Sequence, residues 1–120
     1  MKRADTVVFD PDVVADFHTG QDFRALSDDN PYLEEIEALR DKIRSAAVKH
    51  WEGRGYTVYP CPEWEVSSDV AAGRLDADDI YAPSEEEWES AAQAAWDDAD
   101  LGDHYPALVQ RVREWEESHP

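Results

Sequence analysis

The 120-residue chain has one cysteine, one methionine, three lysines and no long apolar run. With Cys61 alone, an intrachain disulfide is impossible and a zinc site built on several thiolates is excluded. Cys61 lies between Pro60 and Pro62, with no base or histidine near in sequence to lower its pKa, so it is expected to be a small packing residue. The opening Met-Lys-Arg is followed only by the short apolar run 7–9. That is neither a secretory core segment nor a membrane span, and a cytoplasmic protein with no membrane partner is expected. Bases are scarce: 11 Lys and Arg face 29 Asp and Glu, a net charge of −18. A surface this negative repels phosphates, which excludes direct binding of nucleic acid and disfavours a phosphodiesterase.

What is present argues for a folded chain. Five Trp, five Tyr and three Phe within a 42% hydrophobic composition are too many for a disordered acidic tail. Turn residues are spread along the chain instead of gathered in a linker, so residues 1–120 are expected to form a single acidic globular domain. The clearest element spans residues 31–53. Leu33, Ile36, Leu39, Ile43, Ala47 and Trp51 recur at intervals of three and four and make one apolar stripe. Asn30 suits an N-cap, Pro31 the first helical position, and Gly53 and Gly55 a stop. Glu37 with Arg40 and Asp41 with Arg44 are spaced to pair along its outer side.

Around that helix the other elements are shorter. Thr6-Val7-Val8-Phe9 and Tyr56-Thr57-Val58-Tyr59 have the composition of strands, and Trp64 to Ser67 is expected to add a third through a hairpin with the second. Asp10 is placed to cap a short helix from Pro11 to about His18, with Val13, Val14 and Phe17 on its buried side and Gly20 at its end. Residues 21–29 are expected to be an irregular segment or one helical turn, anchored by Phe23 and Leu26. Ser84 and Glu87 form a capping box for a helix from Glu85 to about Asp100, with Trp88, Ala92, Ala95 and Ala99 inward and Ala91 and Trp96 at the margins. A last helix, from Tyr105-Pro106 to about Ser118, buries Leu108, Val109, Val112 and Trp115. The expected fold is α+β and helix-dominated: the long central helix packed on a two- or three-stranded sheet, with two further C-terminal helices.

The charge is unevenly placed. Residues 31–54 hold five acids and five bases, whereas residues 63–103 hold fourteen acids and one base, Arg74, which is −13 of the −18. Internal bases are too few to neutralise that region, so its carboxylates face water or a cationic partner. A solvated face and adaptation to high salt are the plain readings, the latter suited by eight Arg against three Lys. Salt adaptation would acidify the outer side of the central helix as well, and that helix is balanced.

No stretch of the chain completes a chemical motif. Asp76, Asp78 and Glu87 fall at the first, third and twelfth positions of a calcium loop, but Ile80 and Tyr81 occupy the fifth and sixth, where a ligand and a glycine belong. Glu63 and Glu65 lack the lysine of a metal-dependent nuclease site, since none follows Lys49. His18, His50, His104 and His119 have no metal-motif spacing, and Ser67-Ser68-Asp69 has no glycine elbow. Paired carboxylates of glycosidase type are identified by separation in space, not by sequence. No catalytic residue, cofactor or metal is expected.

The expectation is therefore a non-enzymatic binding protein whose acidic region occupies a cationic surface of a basic protein that itself binds nucleic acid. Carboxylates on rigid helices imitate a row of phosphates and steer association. DNA-mimic inhibitors, phage antidefence proteins and immunity proteins share this size and charge. The expected partner-binding residues are Asp76, Asp78, Asp79, Glu85, Glu86, Glu89, Asp97, Asp98 and Asp100, with Trp88 and Trp96 as aromatic contacts. The alternative is a structural or assembly subunit, a homodimer or larger homo-oligomer or a phage particle component, whose acidity only solvates it.

Overall fold

The computed structural model describes residues 4–119; the basic Lys2 and Arg3 lie outside them. The elements run β1 (Thr6–Phe9), α1 (Pro11–Thr19), α2 (Leu33–Gly53), β2 (Thr57–Pro60), α3 (Val66–Ala71), α4 (Glu85–Ala99) and α5 (His104–Ser118), with 3-10 turns at Glu63–Glu65 and Ala77–Asp79. This is an α+β, helix-dominated fold, and α2 is its axis. α1 and α4 both lie along α2, which bears on the sheet through β2. The molecule is elongated, 60 × 28 × 21 Å with a radius of gyration of 17.0 Å, where a compact chain of this length has about 14 Å.

The apolar stripe of α2 is buried as its spacing predicts. Ile36, Leu39, Ile43, Ala46, Ala47 and Trp51 are its buried residues, whereas Leu33 at the tip is 37% exposed. Ile36, Leu39 and Ile43 meet Ala15, Leu101, Leu108 and Val112, with Phe23 and Leu26 of the irregular segment packed against them. Trp51 closes a second cluster with Val7 and Ala91. Between the two, Ala46 and Ala47 face Ala95, and these small side chains let α4 approach α2 closely. The regular helix begins at Leu33, two residues later than the predicted start. Asn30 caps the preceding turn: its Oδ1 accepts from Tyr32 N–H at 2.9 Å.

The sheet has two strands, and their pairing is not that of a hairpin. β1 and β2 are parallel, in the register Thr6 with Thr57 through Phe9 with Pro60. A parallel pair needs a long crossover, and α1 and α2 supply it. The predicted third strand, Trp64 to Ser67, is instead a 3-10 turn running into α3. Prolines at 60 and 62 remove two of the N–H groups a hairpin ladder would use, and Asp69, accepting from Tyr59 Oη at 3.0 Å and Arg74 at 3.2 Å, holds α3 in place. Ile80 takes the third position through one isolated bridge to Thr6.

α1 differs in phase from the prediction. Its buried residues are Ala15 and Thr19, while Val13 is 63% and Phe17 73% exposed. Polar bonds select this rotation: Thr19 Oγ1 donates to Ala15 O at 2.7 Å and accepts from Arg40 at 3.1 Å, and Arg40 also reaches Asp16 at 2.7 Å. Gly20 ends the helix as predicted, where a Cβ would sit 2.6 Å from Asp16 O.

Candidate partner-binding face

The acidic region is built on α4. Ser84 Oγ accepts from Glu87 N–H at 3.2 Å while the Glu87 carboxylate accepts from Ser84 N–H at 3.2 Å, the reciprocal pair predicted from sequence. The same carboxylate takes the Tyr81 hydroxyl at 2.8 Å, and Tyr81 stacks on Tyr56 at 4.8 Å. That hydroxyl, then the Ser84 N–H, hold the Glu87 carboxyl below its ordinary pKa, and Tyr81 is pushed up to about 12. Glu87 is thus committed to structure, and the helix start is firmly held.

Beyond that start, the carboxylates divide. Glu85, Glu86, Glu89 and Asp97 are exposed and lie on the outward side of α4, with Glu85, Glu89, Gln93 and Asp97 following one another at i, i+4, about 6 Å per step. Gln93 donates to Asp97 at 3.1 Å along this row. Asp98 is exposed on the opposite flank, beside a cavity of about 520 Å³ that Lys42 and Lys49 of α2 also line. Asp100 caps the helix C-terminus in a left-handed conformation, φ 50°. Asp76 caps the 3-10 turn, its Oδ1 accepting from Asp78 N–H at 3.0 Å, and Asp79 is half-buried, its carbonyl accepting from Asp5 N–H at 3.0 Å. Asp78 is exposed. The structure therefore gathers Glu85, Glu86, Glu89 and Asp97 on one face and sets Asp98 apart from them.

The tryptophans fasten this helix down. Trp88 meets Phe9 at 6.0 Å and Trp51 at 5.5 Å, both edge to face; Trp96 stacks on His18 at 4.8 Å and meets Tyr105 at 4.9 Å. His18 Nε2–H donates to Ala92 O at 2.8 Å, which ties α1 to α4. Both tryptophans are half-buried, so only part of each ring is available to a partner. The buried line of α4 runs through Ala91 and Ala95, with Ala92 only half-buried, a small rotation from the predicted stripe.

The two arginines inside α2 are engaged elsewhere. Arg40 pairs with Asp16 and Glu37, and Arg44 with Asp12, Glu37 and Asp41, so the central helix neutralises α1. The hydrogen bonds that Arg44 donates to Asp41 and Glu37 hold its guanidinium protonated above its ordinary range. Among the described residues, no ion pair engages Glu85, Glu86, Glu89, Asp97, Asp98 or Asp100. Nor does any group of three or more His, Cys, Asp or Glu side chains among them converge as metal ligands would, and no helix is long and apolar enough to cross a membrane.

Two exposed apolar features escaped the sequence pattern. The periodicity turns Val13 and Phe17 inward, yet both are exposed, and Trp64, in a stretch with the composition of a strand, is 79% exposed. Asp12 and Asp16 beside the first two were the available signal, but a helix of nine residues carries too few apolar positions to fix its phase. No protein-family model, curated protein or solved structure matches this chain.

Proposed function

We propose that the chain is a non-enzymatic binding protein whose α4 face occupies a cationic surface on a basic, nucleic-acid-binding protein. The observation that carries this reading is the exposed row Glu85, Glu86, Glu89 and Asp97, held on a doubly capped helix and without an ion pair among the described residues while Arg40 and Arg44 of α2 serve α1. The arrangement works against stability. Asp97, Asp98 and Asp100 sit at the negative end of the α4 dipole, where no base lies in the last turn, and each acid so placed costs about 0.3–1 kcal/mol. A merely solvating surface has no need of acids there, whereas a fixed array of carboxylates lowers the ordering cost of binding a cationic surface. A partner that binds nucleic acid presents such a surface already.

The test begins with capture of partners on the intact chain at low salt, followed by elution at moderate salt. Basic nucleic-acid-binding proteins that DNA displaces are the expected catch. Reversing Glu86, Glu89 and Asp97 to Lys slows association with the captured protein by ~10-fold or more and flattens its salt dependence. Reversing Glu34 and Glu35, exposed on α2, does much less; Glu37 is unsuitable because it braces Arg40 and Arg44. Equal effects of the two sets would show that overall charge, not a face, governs binding. The rival reading, a homo-oligomeric assembly subunit, draws on the exposed Val13 and Phe17, and sedimentation of the purified chain decides between them.

A further inference from the structure

We propose that an apolar groove beside β1 captures an extended segment of a basic protein, one in which apolar side chains alternate with Lys or Arg, by adding it to the open edge of that strand. The proposal deepens the reading above and rests on it for the partner's charge; the groove itself is a separate feature from the α4 row.

The groove is a cavity of about 510 Å³ where the end of β1, the start of α1 and residues 80–83 meet, and Val8, Val13, Ile80, Pro83 and Trp88 are among its walls. That volume lies within the range of ligand-binding clefts, and its walls are largely apolar. The exposed Val13 forms part of the wall, the 73%-exposed Phe17 follows one turn further along α1, and the 79%-exposed Trp64 stands between two lining residues, Glu63 and Val66. Exposed apolar side chains at an apolar groove are what an interaction site presents.

The backbone shows what shape of ligand fits. Thr57 N–H donates to Asp5 O at 2.8 Å and Cys61 N–H to Phe9 O at 3.2 Å, so the Asp5 carbonyl and the peptide groups of residues 7 and 9 face β2, while Asp5 N–H turns the other way, to Asp79 O at 3.0 Å. Alternation turns those of Thr6 and Val8 to the opposite edge. There Tyr81 N–H donates to Thr6 O at 2.8 Å, but the pairing is a single bridge, and the chain leaves the edge toward Pro83, which has no N–H to give. The N–H and C=O of Val8 thus face the groove at the point where the ladder stops. An extended chain laid there continues the ladder and sets alternate side chains against the apolar walls.

Charge selects the occupant. Among the described residues the charged ones lining the groove are Asp10 and Glu63, both acidic, and α4 brings Glu85 and Glu86 within one turn of Pro83. A second copy of this chain, itself at −18, is repelled, as is an acidic peptide. A segment carrying Lys or Arg on the side away from the walls meets the acidic rim, and its protein then lies next to the α4 row.

Binding of a fluorescein-labelled peptide of about eight residues, alternating Val and Arg, is measured by fluorescence anisotropy with the full chain. It binds ~10-fold or more tightly than versions with Ser for Val or Glu for Arg, and N-methylation of alternate residues weakens it by a similar factor. Val13→Arg, at a position already exposed, and Glu63→Arg each weaken binding ~10-fold with unchanged circular dichroism, whereas Glu89→Lys with Asp97→Lys changes it less than ~3-fold. Equal affinity for the Ser peptide, indifference to N-methylation, or no binding of the Val-Arg peptide overturns the groove. Loss on reversal of Glu89 and Asp97 but not on Val13→Arg overturns it too, and leaves the acidic face standing; retained peptide binding with no effect of the α4 charges on the protein partner does the reverse.

Discussion

Replacing Ile43 by alanine tests whether α2 organises this molecule. Ile43 is fully buried, in a cluster with Ala15, Leu39, Leu108 and Val112, so the change removes contacts with α1 and α5 together. The three carbons lost are worth about 0.8 kcal/mol each in transfer, ~2.4 kcal/mol, and a partly relaxed cavity raises the total to ~3–4 kcal/mol. Against a net stability of ~6–18 kcal/mol for 120 residues this is a large fraction. An unfolding entropy near 2.1 cal/mol/K per residue gives ~0.25 kcal/mol/K for the chain, so Tm falls by ~12–16 °C. Phe17→Ala removes a larger side chain from a site 73% exposed and shifts Tm by only ~2 °C. Thermal melts followed by far-ultraviolet circular dichroism measure both. A shift under ~4 °C for Ile43→Ala, or equal shifts for the two variants, would refute the arrangement of α1 and α5 about α2.

Added salt screens the self-repulsion of −18, so Tm rises between low and moderate ionic strength; a chain that folds only in molar salt would instead mark halophilic adaptation. Glu116, accepting from Ser27 N–H at 2.5 Å and Ser27 Oγ at 2.8 Å, has its pKa lowered by those bonds, and a carboxylate lowered on folding stabilises above its unfolded pKa and loses that contribution as pH falls through the folded value. The stability gap between the wild type and Glu116→Gln in urea titrations is therefore full at neutral pH and closes below pH ~4. Burial, then Asp69, Glu65 and Asp10, push the Cys61 thiol up, so a thiol reagent at neutral pH labels it far more slowly than free cysteine until denaturant is added.

The sequence by itself determined the elements whose signals lie within a turn or two of each other. The α2 stripe, the Ser84–Glu87 box, the final helix and the pairing of Arg40 and Arg44 along α2 all depend on residues three or four apart, the range over which a helix reports its own geometry. The concentration of acid in residues 63–103 was equally plain, because counting needs no coordinates. Tertiary structure alone decided which strand pairs with which, since β1 and β2 are fifty-odd residues apart and only the path of α1 and α2 brings them side by side. It also decided the phase of α1, where bonds from Thr19 and Arg40 outweighed the apolar pattern of Val13 and Phe17, and so exposed the surface beside the groove. The division of the carboxylates followed from packing as well. Asp97 and Asp98 are neighbours in the chain, but one helical step of 100° turns the first to the outer face and the second toward the lysines of α2, and which side faces inward was set by Ala95 against Ala46 and Ala47 and by Ala91 against Trp51.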